Sequence, residues 1–196
     1  MLLSTSICAT LLALSFCFSK AEADDNRKVI GYRTVAKVHR DEAFDNEDFY
    51  LNSIGFGVYM VQEPAGWFGQ ESDWYCVIRA DIEKIDSIDK AWIPLTWEKE
   101  NEDGKVEKIE LYGEEELTVE YIRSLMIPEP EKALRLSTID DEGSLQMLIP
   151  TKVVNSGVLD LWAICFETPE KLAEFSNEFP EWDDWDIKGE SEAAFM

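Results

Sequence analysis

Histidine is almost absent from this sequence, His39 being the only one, and that removes most familiar catalytic centres. A Ser-His-Asp site would have to use His39, and no serine stands in a Gly-x-Ser-x-Gly setting. His-Glu-x-x-His is missing, as is the glycine-rich phosphate loop that ends in Lys-Ser or Lys-Thr. Cysteine is scarce too, with four in all. Two of them, Cys8 and Cys17, fall in the leader described below, which leaves Cys76 and Cys165. That pair with one histidine is too poor in ligands for a structural zinc site, and no metal centre is expected.

Basic residues are also few. Lysine and arginine number 18 against 41 aspartates and glutamates, for a net charge of -23. A surface of that sign repels phosphate backbones and anionic head groups, which hold proteins through lysine and arginine. Nucleic acid and membrane are therefore excluded as expected partners, and a protein with a basic surface is favoured. After the first 19 residues no apolar run approaches the roughly 20 residues of a spanning helix.

What is present begins with that opening run. Leu11 to Phe18 forms an apolar stretch, and the small residues Ala21 and Ala23 follow at the spacing a signal peptidase reads. Residues 1–23 are expected to be a cleaved signal peptide, with the product secreted to the extracellular space. Lys20 and Glu22 leave together, so the acidic excess belongs to the mature chain. The remaining ~170 residues fit one domain, residues 24–196. A hydrophobic fraction of 45% with seven tryptophans is enough for a core and excludes wholesale disorder. In an oxidising compartment a Cys76–Cys165 disulfide is expected, with two buried thiols as the alternative. Closing a loop of about 90 residues, the bridge would contribute roughly 4 kcal/mol.

Strands are expected where β-branched and aromatic residues gather, at 29–35, 55–61, 74–80, 91–93, 134–139, 145–149 and 158–166. Helical spacing of Leu117, Tyr121, Ile122 and Leu125 predicts a helix over 114–125, and Thr168 with Pro169 predicts another. A short helix near residues 40–44 is also expected. Residues 98–110, dense in glutamate, read as a charged surface excursion. The acidic stretch after Phe179 reads as a loose tail in which Trp182 and Trp185 pack back on the domain. Helices set at intervals rather than in strict alternation with strands indicate an α+β domain, with mixed or antiparallel sheets and peripheral helices.

One order of parts goes further. Gly31-Tyr32-Arg33 lies on a first strand, Gly55-x-Gly57-Val58-Tyr59 enters a second, and a late strand runs into Leu148-Ile149-Pro150. That layout, over residues 29–166, resembles toxin-type ADP-ribosyltransferases. The chain is also similar to secreted fungal proteins that carry the glycine-x-glycine strand and a Gln-Met-Leu-Ile-Pro segment. The resemblance implies NAD as substrate and mono-ADP-ribosylation of a protein target. Arg33 would hold the pyrophosphate, Tyr59 would stack near the nicotinamide, and Gly55 and Gly57 would let the backbone approach the dinucleotide.

Where the family places its catalytic glutamate this chain has Gln146, which can hydrogen-bond a ribose but brings no negative charge to a developing cation. Glu142, or Glu114 and Glu116, could supply the missing carboxylate, and without one the domain would be catalytically degenerate. The alternative function is a non-enzymatic secreted effector, a monomer using its acidic surface against a basic partner. A third reading sets Trp67, Phe68, Trp74, Trp92 and Trp97 as stacking surfaces for sugars or cations, with Trp67 the one expected to be exposed.

Overall fold

The computed structural model describes residues 26–37, 53–67, 69–70, 72–139 and 144–191. The leader, the expected helix near 40–44, Phe68 and Glu142 lie outside these residues. The elements run β1 Arg27–Val35, β2 Gly57–Val61, β3 Trp74–Asp81, α1 Ile82–Ser87, β4 Lys90–Trp92, β5 Thr96–Glu100, β6 Val106–Glu110, α2 Glu115–Ser124, β7 Leu134–Thr138, β8 Leu145–Pro150, α3 Thr151–Ser156, β9 Trp162–Phe166 and α4 Pro169–Phe175. Seven strands form one sheet in the order β4-β7-β8-β2-β1-β3-β9, while β5 and β6 form a separate hairpin. All pairings are antiparallel except β4 with β7. This is an α+β architecture with a mixed sheet, as the spacing of its elements implies.

The register sorts the side chains onto two faces. Leu134 and Leu136 of β7, Met147 and Ile149 of β8, Val58 and Met60 of β2, and Cys76 and Ile78 of β3 share one face. They form a single cluster with Ile85 of α1, Val153 of α3 and Trp182. The opposite face divides in two. At the β7-β8 end Leu148 packs with Tyr121 and Ile122 of α2. At the β1-β3 end Tyr32 and Val77 pack with Leu172 of α4.

Local chemistry explains the shorter elements. Asp81 accepts from the Glu83 amide and starts α1, and Thr168 accepts from the Lys171 amide ahead of Pro169 and starts α4. Residues 98–110 lie largely on the surface, as expected, and form strands β5 and β6 of a hairpin the sequence did not announce. Asn101 accepts from the amides of Asp103 and Lys105 and shapes the turn of the β5–β6 hairpin, across which Glu98 faces Lys108 and Lys99 faces Glu107. The last strand begins at Trp162, not at Val158, because residues 157–159 form a turn after α3.

As expected, Trp182 and Trp185 of the acidic tail pack back on the domain, and the docking extends to Lys188. Trp182 is fully buried and its indole donates to the Ile30 carbonyl at 2.9 Å. Trp185 packs on the same cluster. Lys188 then bridges to Ala91: the Trp92 amide donates to Lys188 at 2.9 Å, and the Lys188 amide donates to Lys90 at 3.0 Å. Cys76 and Cys165, opposite one another on β3 and β9, form the expected disulfide. Among the described residues no helix is long and apolar enough to cross a membrane.

Candidate functional site

A group of polar side chains inside the fold lies under α2, on the face of β7, β8 and β2 that carries Leu148. Arg135 occupies an inward position on β7 and is 1% exposed. Its guanidinium donates from Nη1 to Glu115 Oε2 at 2.6 Å and from Nη2 to Glu115 Oε1 at 2.8 Å, the two-pronged geometry that a planar guanidinium forms with a carboxylate. Nη1 also donates to the Ile54 carbonyl at 2.7 Å. Glu115 stands in the first turn of α2, so the ion pair ties helix to sheet.

Beside it Tyr59 donates its hydroxyl to the Gly55 carbonyl at 2.8 Å and accepts from the Ile54 amide at 3.1 Å. Burial pushes the phenol up to about 12, offset in part by the Ile54 amide. Two residues along the same face Gln146 donates its amide to Ser137 at 2.9 Å and to Ser53 at 3.2 Å. Ser137 stands directly across the ladder from Gln146.

Both glycines of this stretch have packing reasons. Gly55 has φ +120°, and a Cβ there would lie 1.9 Å from Arg135 Nη1 and 2.2 Å from Glu115 Oε2. A side chain would be strained and would collide with the ion pair. A Cβ on Gly57 would lie 2.1 Å from the Ile149 carbonyl oxygen of β8. The glycine-x-glycine signal thus marks where β2 closes on a neighbouring strand and on a buried cation.

The residues expected to serve NAD are divided. Tyr59 and Gln146 share a face and one polar neighbourhood. Arg33 sits opposite Cys76 on the other side of the sheet. Tyr32, one residue earlier, lies on the face that Tyr59 shares, and it donates its hydroxyl to the Glu178 carbonyl at 2.6 Å. Surface hollows of about 350, 270 and 710 Å³ occur elsewhere, and none of these three is lined by Arg33, Tyr59 or Gln146. Glu114 and Glu116 are exposed at the start of α2, with Glu115 between them turned to Arg135.

The tryptophans are spoken for as well. Trp67 is half-buried against the cluster of Tyr32 and Leu172, not exposed, and its carbonyl accepts from Thr34 at 3.0 Å. Trp97 meets Tyr121 edge-on at 5.7 Å. Among the described residues no three His, Cys, Asp or Glu side chains gather in a way that could hold a metal ion.

Sequence reasoning missed Arg135, the centre of this group. The available signal was a lone cation at the middle of the apolar Leu134-Arg135-Leu136, where an arginine ordinarily points to water.

Residues 52–190 match the model of a protein family described as a family of unknown function, DUF5910. The chain belongs to that family. The DUF5910 match takes in Gly55, Glu115, Arg135, Gln146 and both bridged cysteines, and starts after β1 with its Arg33. No curated protein and no solved structure matches the chain.

Proposed function

We propose that this protein is exported and acts without chemistry of its own, as an interaction protein that presents an acidic surface to a basic partner protein. The observation that carries the reading is the placement of charge. The buried cations are satisfied inside, Arg135 by Glu115 and Lys90 by the Ile88 carbonyl, while the carboxylates of the hairpin, such as Glu98, Glu100 and Glu107, and of the docked tail, such as Glu181, Asp183 and Asp186, face water. Carboxylates held on a rigid frame steer a basic partner at long range and fade with salt.

Three further points support the reading over NAD chemistry. Arg33 and Tyr59 lie on opposite sides of the sheet. Gln146 brings no charge and spends its amide on two serines. Tyr59 is committed to the backbone of residues 54 and 55. A disulfide favours an oxidising compartment and so supports export.

Calorimetric titration with NAD at millimolar concentration is expected to give no binding heat. Polylysine is expected to bind at low salt with an affinity that falls by an order of magnitude or more in physiological salt. NAD hydrolysis that disappears in Arg33→Ala would overturn the proposal in favour of an ADP-ribosyltransferase. Export is checked by the amino terminus of protein recovered from the medium, expected at Asp24.

A further inference from the structure

β9 ends the sheet, and its residues, Trp162, Ala163, Ile164, Cys165 and Phe166, carry neither charge nor proline. Those are the devices that ordinarily stop an edge strand from recruiting another chain. The opposite rim, at β4, is covered by Lys188.

The ladder fixes which backbone groups of β9 are on offer. The Cα atoms of Cys76 and Cys165 are 4.0 Å apart, close to the spacing of about 4.5 Å for an antiparallel pair that exchanges no hydrogen bonds. By alternation Trp162, Ile164 and Phe166 bond to β3, while Ala163 and Cys165 turn their N–H and C=O groups outward. Among the described residues none pairs with that side.

Helix α4 covers the neighbouring face and leaves the rim open. Leu172 packs with Tyr32 and Val77. Phe175 rests on Trp162 and Phe166, with ring centroids 6.5 and 5.2 Å away, and is itself 48% exposed, an apolar shelf beside the strand. Around the shelf the charge is mostly of one sign. Asp160 precedes β9, Glu167 follows it, and Glu170 and Glu174 line α4, all exposed, against the exposed Lys171. Asp160 is paired with Arg27 and Glu167 with Lys171, so Glu170 and Glu174 are left as surplus negative charge.

We infer that the rim of β9 receives an extended segment of the partner, rich in lysine or arginine alternating with apolar residues, as an eighth strand. The backbone of Ala163 and Cys165 supplies the ladder, Phe175 receives an apolar side chain, and the carboxylates of α4 meet the basic ones. This rests on the acidic-surface reading and gives it an address.

The test uses the purified protein at low salt with a peptide of about eight residues alternating lysine and valine, and a control alternating lysine and proline, which cannot form a ladder. The lysine-valine peptide is expected to slow amide exchange at Ala163 and Cys165 about tenfold or more, and the control to leave it unchanged. Ala163→Pro, which removes an outward N–H, is expected to weaken binding by about tenfold while the amide spectrum stays folded. Should that variant unfold, exchange in the unaltered protein decides.

Salt-sensitive binding with both amides unchanged would overturn strand addition and leave the acidic-surface reading standing. Failure of both peptides to bind at low salt would overturn both. Slowing at the same amides that grows with protein concentration and needs no peptide would assign the rim to a second copy and overturn the basic occupant.

Discussion

Both ends of the sheet bury apolar clusters, but under α2 the ion pair of Arg135 with Glu115 adds a polar tie between helix and strands, whereas at the β9 end a covalent bond holds the outermost strand. Each solution fits its surroundings. A five-residue edge strand paired on one side has few ladder bonds, and the disulfide fixes it to β3 irrespective of what covers it. The β7-β8-β2 end is covered by α2, so a cation can be buried there, at a desolvation cost that only a well-oriented carboxylate offsets. The two-pronged contact with Glu115 fixes where α2 sits on the sheet.

Breaking the covalent end should have the largest effect. Replacing Cys76 and Cys165 with alanine is expected to cost about 4 kcal/mol in urea unfolding, from the freed loop of 89 residues' separation. Amide protection should fall first in β9 and last in β7 and β8.

Breaking the polar end comes next. Glu115→Ala leaves a buried guanidinium without its carboxylate and is expected to cost about 3 kcal/mol. Loss of protection should then begin in α2, not in β9. Gly55→Ala should follow at about 2 kcal/mol, since the left-handed backbone and the contact with Arg135 act together.

Tyr59 sharpens the comparison through pH. Its folded pKa of about 12 exceeds the unfolded value near 10, so the neutral phenol is favoured by folding. The associated stability is fully present below pH 10 and is lost as pH rises from 10 through 12, at about 1.4 kcal/mol per pH unit. Tyr59→Phe is expected to cost about 1 kcal/mol at neutral pH and to remove that part of the alkaline slope, as measured by urea midpoints from pH 9 to 12. The smallest effect is expected at Lys171, whose pair with Glu167 is exposed on both sides. Lys171→Ala should leave the urea midpoint where it was.

Most strands were legible because their residues alternate or run apolar between glycine and proline. β3 and β8 needed no tertiary information, and Thr168-Pro169 announces a helix by local chemistry alone. Helices α1 and α3 were not legible, since six residues hold less than two turns and leave little periodicity to detect. Cys76 and Cys165 could be paired because, past the leader, no other cysteines remained.

Arg135 and Glu115 could not be joined in the same way. They lie on a strand and a helix whose contact is set by the whole sheet, and each separately fits an ordinary role, a strand arginine and an acid at a helix start. Glycines 55 and 57 were visible as a signal, but what they make room for was not. The layout that resembled an NAD site lies on β1 and β2, which among the described residues are registered to each other at Tyr32 and Val61. Neighbouring positions on a strand alternate faces, so placing Tyr32 inward beside Tyr59 sends Arg33 to the other side.

Lys188 bears on the order of assembly. While the chain is being made, β4 emerges with its rim bare and stays so until Lys188 has been added and can lie down beside Ala91. A polypeptide cut short of that lysine would possess its named strands yet offer two sticky borders instead of one, and would be the form most prone to stack on its own kind.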